Sequence, residues 1–361
     1  MRIALAALLA CGCYHPTIPD QSFVCGPDGL CPSGFSCNAA RLCEKSGSNT
    51  VDGGSSGLYS GVLGTTDLSG LSGILECSTK TGQMKLRVGS GPNEVDTIVV
   101  PASAAGFFRL AQTSGPALGV WSFQSFTVPA GVTMKPASDS DAMPIFAAVG
   151  PMFVDGPVDW RGFGGFGGLA GQAGQDRGSG VASGGAGGGF GGGGGGAGYA
   201  SVGDAGTGGA RGGASYGTAD LAILHAGAGG GGGGDDGGRG GNGGGSVALV
   251  SQARITLGGT IDVSGTAGGT GGAMGGGGGG GGSGGSILVS APQVTLSAGH
   301  MLTSLGGTAG AGSNMEAGGG AGSTGRIWIA GTTSGPAAAE PKAGAASQPS
   351  STFPAGATAA P

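Results

Sequence analysis

The chain has 361 residues, of which 94 are glycine and 18 are proline, and only 10% of its residues are charged. Glycine and proline at this level favour low-complexity or irregular structure over an ordinary globular domain. The 15 basic and 20 acidic residues give a net charge of −5, which excludes the basic surface that nucleic-acid binding requires. Only 3 histidines are present, and no apolar run approaches the roughly 20 residues of a membrane-spanning helix.

The N-terminus has the pattern of an export signal. Met1 and Arg2 are followed by an apolar run over residues 3–10, as in a short signal peptide. Leu8-Leu9-Ala10-Cys11 resembles the processing box of bacterial lipoproteins, so we predict a signal peptide over residues 1–10 and lipidation of Cys11. By the same resemblance, Gly12 after the cysteine points to the outer membrane of a Gram-negative cell. An ordinary signal peptide, or a start further upstream, is the alternative.

Residues 11–46 form a predicted cysteine-rich module. Four of its cysteines are evenly spaced, with five residues between neighbours, whereas zinc sites contain closer pairs. An exported protein meets oxidising conditions, and so short a segment needs covalent staples, so we predict disulfides. The candidate cysteines are Cys13, Cys25, Cys31, Cys37, Cys43 and Cys77. The spacing leaves their connectivity open, with Cys13 and Cys77 as one further candidate pair.

Residues 47–80 are a predicted linker, and a repeated strand pattern follows it. Val247, Ile287 and Ile327 are each 40 residues apart and begin similar apolar stretches. A second pattern places apolar residues at offsets 0, 2, 6 and 8. It starts at Phe126, Met152, Ile255 and Val294, with His300 in one apolar position. Each unit therefore reads as two short alternating strands separated by a bend.

A single unit of this kind cannot bury its apolar face, but stacked units can. We therefore predict an all-β fold, a right-handed parallel β-helix (solenoid) over residues 81–331 with long glycine-rich loops, preceded by the disulfide-rich module. Residues 162–245 are a predicted large insertion, and residues 332–361 a disordered tail. The predicted solenoid core comprises Phe126, Val128, Val132, Met134, Met152, Val154, Val158, Trp160, Val247, Leu249, Ile255, Leu257, Ile261, Val263, Ile287, Val289, Val294, Leu296, Leu302, Ile327 and Ile329.

The polyglycine runs have two physical interpretations. Glycine has the largest backbone entropy to lose, which favours flexible, partly ordered loops. Alternatively, several runs could pack side by side as threefold extended helices, because backbones without side chains can approach closely. The entropy of glycine favours the loops.

Three sequence features together resemble a known family. They are the cysteine module over residues 13–43, the stretch Phe126-Thr-Val-Pro-Ala-Gly-Val-Thr, and the repeat Gly-Gly-Ser-[Val/Ile]…Gly-Thr-Ile-Asp-Val-Ser-Gly. These features look like glycine-rich surface lipoproteins of myxobacterium-type Gram-negative bacteria, which combine a cysteine-rich module with a β-helix-like repeat region. The resemblance covers most of residues 11–331, contains no catalytic motif and implies a cell-surface β-helix.

The predicted function is that of a non-catalytic surface lipoprotein of the cell envelope, structural or adhesive. Its expected partners are a membrane, through the lipid anchor, and polysaccharide or surface matrix, with no metal, cofactor or nucleic acid. One alternative is a carbohydrate-active lyase or hydrolase, for which the available acid–base side chains are Asp235, Asp236, His300 and Arg254 or Arg326. Another is an inert spacer. Asp159 and Asp262 occupy equivalent positions in two repeats, where we expect them to point outward or to hydrogen-bond a turn.

Overall fold

The computed structural model describes residues 35–37, 43–45, 62–112, 115–163, 171, 178–189, 191–219, 221, 223–313, 316–335 and 349–350. The chain divides into two compact units, Met1–Ser56 and Gly57–Pro361. The predicted signal peptide and the side chains of Cys11, Cys13, Cys25 and Cys31 lie outside the described residues.

In the first unit the structure describes one short hairpin. Strand β1 (Phe35–Cys37) pairs antiparallel with β2 (Cys43–Lys45), and the register sets the Cα atom of Cys37 opposite that of Cys43. The disulfides of this module stay a prediction.

The second unit is built of strands, as predicted for an all-β fold. Its described residues contain no α-helix, only a 3₁₀ turn at Gly91–Asn93. The strands are β3 (Leu63–Asp67), β4 (Gly73–Cys77), β5 (Met84–Val88), β6 (Val95–Val100), β7 (Phe107–Leu110), β8 (Leu118–Val128), β9 (Val132–Pro136), β10 (Met143–Ala148), β11 (Met152–Val154), β12 (Val158–Asp159), β13 (Ser246–Ser251), β14 (Arg254–Leu257), β15 (Thr260–Asp262), β16 (Ser286–Leu296), β17 (Met301–Thr303), β18 (Arg326–Ser334) and β19 (Pro349–Ser350).

The prediction of a right-handed parallel β-helix is wrong. In a solenoid each repeat contacts only its neighbours, whereas here the path from β13 through β10, β8, β11, β14 and β16 returns to β13. These six parallel strands form a closed barrel. The path closes because two strands are long: β8 pairs with β10 along its first half and β11 along its second, and β16 pairs in the same way with β13 and β14.

A second sheet has the order β17-β15-β12-β9-β4-β5-β6. Its pairs from β17 to β4 are parallel, and those of β4 with β5 and of β5 with β6 are antiparallel. Strands β3 and β4 fall within residues 47–80, so part of the predicted linker belongs to the folded unit.

The strand register follows the first two apolar offsets and departs from the others in two places. Phe126, Met152, Ile255 and Val294 are aligned on neighbouring strands. In the second sheet, Val158 is opposite Met134 instead of Val132, and Ile261 is opposite Leu302 instead of His300. The connections after Val128 and Leu296 are therefore two residues longer than the repeat implies.

The strands enclose an apolar core in which aromatic rings stack. Trp121 and Phe126 each lie parallel to Phe146, with ring centroids 5.1 and 5.8 Å apart, and Phe123 stacks on Phe126 at 4.5 Å. Every residue of the predicted solenoid core is buried except Leu296, which is half-buried. The alternation of apolar and polar residues along each strand predicted which side chains face inward. It did not predict the closed path of the strands.

The glycine-rich stretches form an array of extended segments, which reverses the interpretation as loops. We label ten segments by residue range: g1 (178–188), g2 (191–199), g3 (201–208), g4 (210–217), g5 (227–234), g6 (237–245), g7 (263–272), g8 (275–285), g9 (304–313) and g10 (316–326). Backbone hydrogen bonds join them side by side.

The hydrogen bonds of g8 repeat every third residue. Its amides at 276, 279 and 282 donate to g7, those at 277, 280 and 283 to g5, and those at 278, 281 and 284 to g10. Its carbonyls accept in the same rotation from g2, g6 and g9. A threefold repeat is the geometry of a polyproline II helix, which leaves its own backbone groups free for neighbours. Segment g8 is therefore bonded to six surrounding segments.

Glycine is required where these backbones meet. A Cβ atom on Gly280 would lie 2.0 Å from the carbonyl oxygen of Gly195, and one on Gly230 would lie 2.1 Å from that of Gly280. Both distances are far below van der Waals contact, so an L side chain cannot be accommodated at either position. The array is therefore a packed region, and its close backbone contacts require glycine.

The C-terminal region departs partly from the predicted tail. Strand β18 continues to Ser334, and β19 pairs in parallel with it. Residues 336–348 and 351–361 lie outside the described part of the chain.

Candidate ligand-binding groove

A groove of 370 Å³ crosses the outer face of the second sheet. Its lining side chains come from four consecutive strands, β4, β9, β12 and β15, and their ends. They fall into two rows. The floor row is Ile74, Thr133, Pro157 and Thr260, and the charged row is Lys135, Asp159 and Asp262, with Arg161 beside it.

The charged row is centred on an arginine between two carboxylates. Arg161 donates from Nε and Nη2 to the two oxygens of Asp159, each at 2.9 Å. Its Nε also lies 3.7 Å from Asp262 Oδ2. Asp159 and Asp262 are directly opposite each other in the register of β12 and β15. Because like charges on adjacent strands repel, Arg161 stabilises this pairing.

Lys135 completes the row on the other side. Its Nζ lies 3.7 Å from Asp159 Oδ2, beyond hydrogen-bond distance. The ammonium of Lys135 and the Oδ2 atom of Asp262 therefore flank the arginine–carboxylate pair as a donor and an acceptor. Two positive and two negative side chains line the groove, which makes its net charge zero.

Local backbone structure holds both carboxylates in place. Asp159 Oδ1 accepts from the amide of Arg161, and Asp262 Oδ1 accepts from the amide of Ser264 at 2.9 Å. Both are side chain-to-backbone bonds two residues ahead, a common way for aspartate to fix a turn. The second of the two alternatives expected for these aspartates, a hydrogen bond to a turn, holds at both positions.

The electrostatics of the groove favour binding over acid catalysis. The hydrogen bonds from Arg161 lower the pKa of Asp159 below its ordinary value, against a smaller opposing effect of partial burial. The same pairing raises the pKa of Arg161. A general acid needs a pKa raised towards the working pH, whereas Asp159 is held as an anion. Such charged, fixed groups are suited to accept and donate hydrogen bonds to a ligand.

The side chains considered for an enzyme are held apart in the structure. Asp235 lies at the tip between g5 and g6, where its Oδ2 accepts from the amide of Gly191 at 2.6 Å, and Asp236 is exposed beside it. His300 is buried, and its Nδ1 lies 2.8 Å from the carbonyl oxygen of Ser297. It lies in the longer connection before β17, and the side chain of Met301, which follows it, is exposed.

The two arginines considered with them are also separate. Arg254 lies over the ring of Phe153, and Arg326 over that of Tyr199. On the shared neighbour β16 they align with Gln293 and Ser286, seven residues or roughly 23 Å apart along the strand. These side chains do not converge on one site.

Cys77 is a free, buried thiol in the structure, so its assignment as a disulfide candidate needs correction. On β4 the side chains of Leu75 and Cys77 point to the same, inner face of the sheet, which places Cys77 in the core. Burial raises the pKa of the thiol well above its ordinary value. The other six of the 7 cysteines lie in the first unit. Their number is even only when Cys11, the predicted lipidation site, is counted among them.

Sequence reasoning missed the two basic residues of the groove. Arg161 stands two positions after Asp159, a spacing that allows a side-chain pair across a turn, and this signal was available. Lys135 comes from a different repeat. Its position beside Asp159 depends on the register shift between β9 and β12, which the repeat pattern does not contain.

A second polar cluster joins the array to the barrel. The hydroxyl of Tyr199 lies 2.5 Å from Ser286 Oγ, and Arg326 donates to the carbonyl of Tyr216 at 3.0 Å. Burial raises the pKa of Tyr199 to about 12. The cluster is enclosed between g2, g4 and the start of β16, where it fixes the segments to the strands.

In the part of the chain that the structure describes, no helix is long and apolar enough to cross a membrane. The same residues contain no group of three or more histidine, cysteine, aspartate or glutamate side chains placed to hold a metal ion. No protein family model, curated protein or solved structure matches this chain.

Proposed function

We propose that this protein is an exported, lipid-anchored and non-catalytic surface protein of the cell envelope, which contacts polysaccharide through the groove on its second sheet. The observation that carries the proposal is the composition of the groove. Fixed donors and acceptors of balanced charge stand beside a floor of apolar and hydroxyl side chains. Sugars present both hydroxyl groups and apolar ring faces, so this combination matches them.

The scaffold supports a binding role. Binding surfaces gain affinity when their groups are held in place before the ligand arrives. The groove lies on a seven-stranded sheet, and its carboxylates are tied to the backbone at the ends of β12 and β15. A ligand would therefore meet side chains that are already oriented.

Export and anchoring rest on the N-terminal sequence. The positive start, the apolar residues 3–10 and the processing box ending at Cys11 support a lipoprotein signal. A lipidated cysteine carries several acyl chains, enough for stable attachment to a membrane. The matrix or polysaccharide outside the cell would then be within reach of the folded unit.

Binding to polysaccharides tests the function directly. The purified protein without its signal peptide would be incubated with insoluble polysaccharides and with whole cells, and the bound fraction measured after sedimentation. We expect retention on polysaccharide without release of soluble sugar. Absence of retention on every polysaccharide and on cells would contradict a binding role and leave the inert spacer, whereas release of sugars would establish an enzyme.

The anchor is tested separately in cells. Cys11→Ala is expected to abolish fatty-acid labelling and to release the protein from membranes, because the acylated side chain is removed. Cys13→Ala serves as the matched control and should keep both properties. A Cys11→Ala protein that stays in the membrane fraction and still incorporates label would overturn the proposed localisation.

A further inference from the structure

We infer that the groove binds an extended, uncharged polysaccharide that runs across the strands, with about one sugar unit over each of β4, β9, β12 and β15. This inference rests on the proposed function and adds the chemical class and direction of the ligand. It is argued from the repeat distance of the groove, from its charges and from the positions of two polar atoms that lie beyond hydrogen-bond distance of their ion-pair partners.

The repeat distance of the groove is set by the sheet. Neighbouring strands lie about 4.8 Å apart, so the four strands that line the groove span roughly 14 Å. Strands β4, β9 and β15 contribute the floor residues Ile74, Thr133 and Thr260, and Pro157 lies immediately before β12 in the same row. An extended pyranose chain advances by a similar length per sugar. Successive rings would therefore meet equivalent positions on successive strands.

The charges of the groove favour a neutral chain. Lys135 and Arg161 are balanced by Asp159 and Asp262, and Arg161 already satisfies Asp159 with two hydrogen bonds. A polyanion would bring carboxylates close to two aspartates, and a polycation would meet the opposite difficulty with the two basic side chains. Sugar hydroxyls both donate and accept, so they suit a site that offers both kinds of group.

The available polar atoms stand at opposite sides of the central ion pair. Lys135 Nζ can donate to one hydroxyl and Asp262 Oδ2 can accept from another, because each is 3.7 Å from its nearest ion-pair partner. Their strands, β9 and β15, are separated by one intervening strand, a distance of roughly 10 Å. Two hydroxyl contacts that far apart belong to different sugars of one chain.

The experiment titrates the full folded protein, without its signal peptide, with oligosaccharides of two to six units from a neutral β-glucan and from polygalacturonate. Isothermal titration calorimetry gives the dissociation constants. We expect the neutral series to bind at least about tenfold more tightly at four units than at two, and to gain little beyond four. Raising the salt from 50 to 500 mM should change that affinity less than about twofold, because no net charge is paired.

Variants locate the site. Lys135→Ala and Asp262→Asn should each weaken binding of the neutral tetrasaccharide at least about fivefold. Asn keeps the Oδ1 acceptor for the amide of Ser264 and so retains the turn. Asp96→Asn is the matched control, since Asp96 belongs to an ion-pair group with Lys85 on the same sheet outside the groove. It should bind as the unmodified protein does.

The outcomes separate this inference from the proposed function. Tighter binding of polygalacturonate, or affinity independent of length, would overturn the inference alone, because the protein would still bind polysaccharide through the groove. Binding unaffected by both groove variants would overturn the inference and also the groove as the contact site of the proposed function. Failure to bind any polysaccharide, including insoluble polymers and cells, would overturn the function itself.

Discussion

At the scale of single residues, the stability of the glycine array depends on the absence of Cβ atoms. Gly280 donates its amide to Gly231 and accepts from Gly241, each at 2.8 Å, while a Cβ atom would overlap the backbone of Gly195. Glycine normally costs stability through its large unfolded-state entropy. In the array that cost is offset by hydrogen bonds that no other residue would allow.

Gly280→Ala should therefore be strongly destabilising. The added methyl group would meet backbone atoms that cannot rotate away, so we expect a loss of about 3 kcal/mol or more in the free energy of unfolding, at or above the upper end for overpacked sites. Gly189→Ala is the control, because nothing lies within 4 Å of a Cβ atom there. It should change stability by less than about 0.5 kcal/mol. Urea titration measures both, and equal stabilities for the two variants would contradict a packed array.

Cys77 gives the protein a dependence on alkaline pH. Its pKa is raised by burial, so the folded protein keeps its proton while the unfolded chain loses it above about pH 8.5. The free energy of unfolding is therefore not reduced by ionisation of the thiol below that pH. It decreases as the pH rises above it, by about 1.4 kcal/mol per pH unit at most. The tyrosines add their own effect only above about pH 10.

The measurement compares the unmodified protein with Cys77→Ala between pH 8 and pH 10 under anaerobic, non-reducing conditions. The variant is expected to be less stable at pH 8, because it leaves a cavity, but to lose less stability up to pH 10. Parallel pH profiles for the two proteins would show that the thiol is accessible to water.

At the scale of strands, the pairing of β12 with β15 depends on Arg161. Asp159 and Asp262 face each other in register, and removal of the arginine would leave two carboxylates side by side. The pKa of Asp159 is lowered mainly by Arg161. The stabilisation is therefore present above the unfolded pKa of about 3.9 and is lost as the pH falls.

Arg161→Ala is expected to lower the free energy of unfolding by at most about 1 kcal/mol at pH 7, because the arginine is largely exposed. The difference should decrease as the pH falls through the lowered pKa of Asp159, where that carboxylate becomes protonated and its pairing with Arg161 is lost. Arg109→Ala is the control, since Arg109 pairs with one carboxylate among the described residues, that of Asp141 at 2.7 Å. It should show a smaller change over the same range. Thermal unfolding at several pH values makes the comparison, and a difference that does not decrease with falling pH would assign the effect to packing.

The strands also show what the sequence can and cannot predict. Equal spacing of apolar residues predicted the alignment of Val247 with Ile287 and of Ile287 with Ile327, and the register agrees. It could not predict the closed path, because closure depends on β8 and β16 each extending past two neighbours. Only part of the groove could be predicted from the sequence. Asp159 and Asp262 occupy equivalent positions in two repeats, but Lys135 lies beside Asp159 only because the register between β9 and β12 is shifted.

At the scale of the whole molecule, the sheets and the glycine array are continuous. Segments g6, g8 and g10 run directly into β13, β16 and β18. The offset of 40 residues between Ser246 and Ser286 in the strands continues in the array, where the amide of Gly244 donates to Ser283 and the amide of Ser286 to Gly245. Glycine therefore extends the parallel pairing beyond the strands. The composition suggested disorder, because hydrophobicity and apolar periodicity describe side chains. Neither can detect an array that is held together by backbone hydrogen bonds.

Hydrogen exchange should detect that continuity. The amides of residues 276–284 in g8 all donate to neighbouring segments, and g8 leads into β16 without a break, so exchange there should require the barrel to open as well. We expect protection close to that of β13 and β16, at the level of global unfolding. Ala267 and Thr270 are exposed on g7 and should exchange faster. Gly280→Ala should accelerate exchange in g8 and in β16 together. Fast exchange in g8 with β16 still protected would mean that the array opens by itself, and that the strands hold their fold without it.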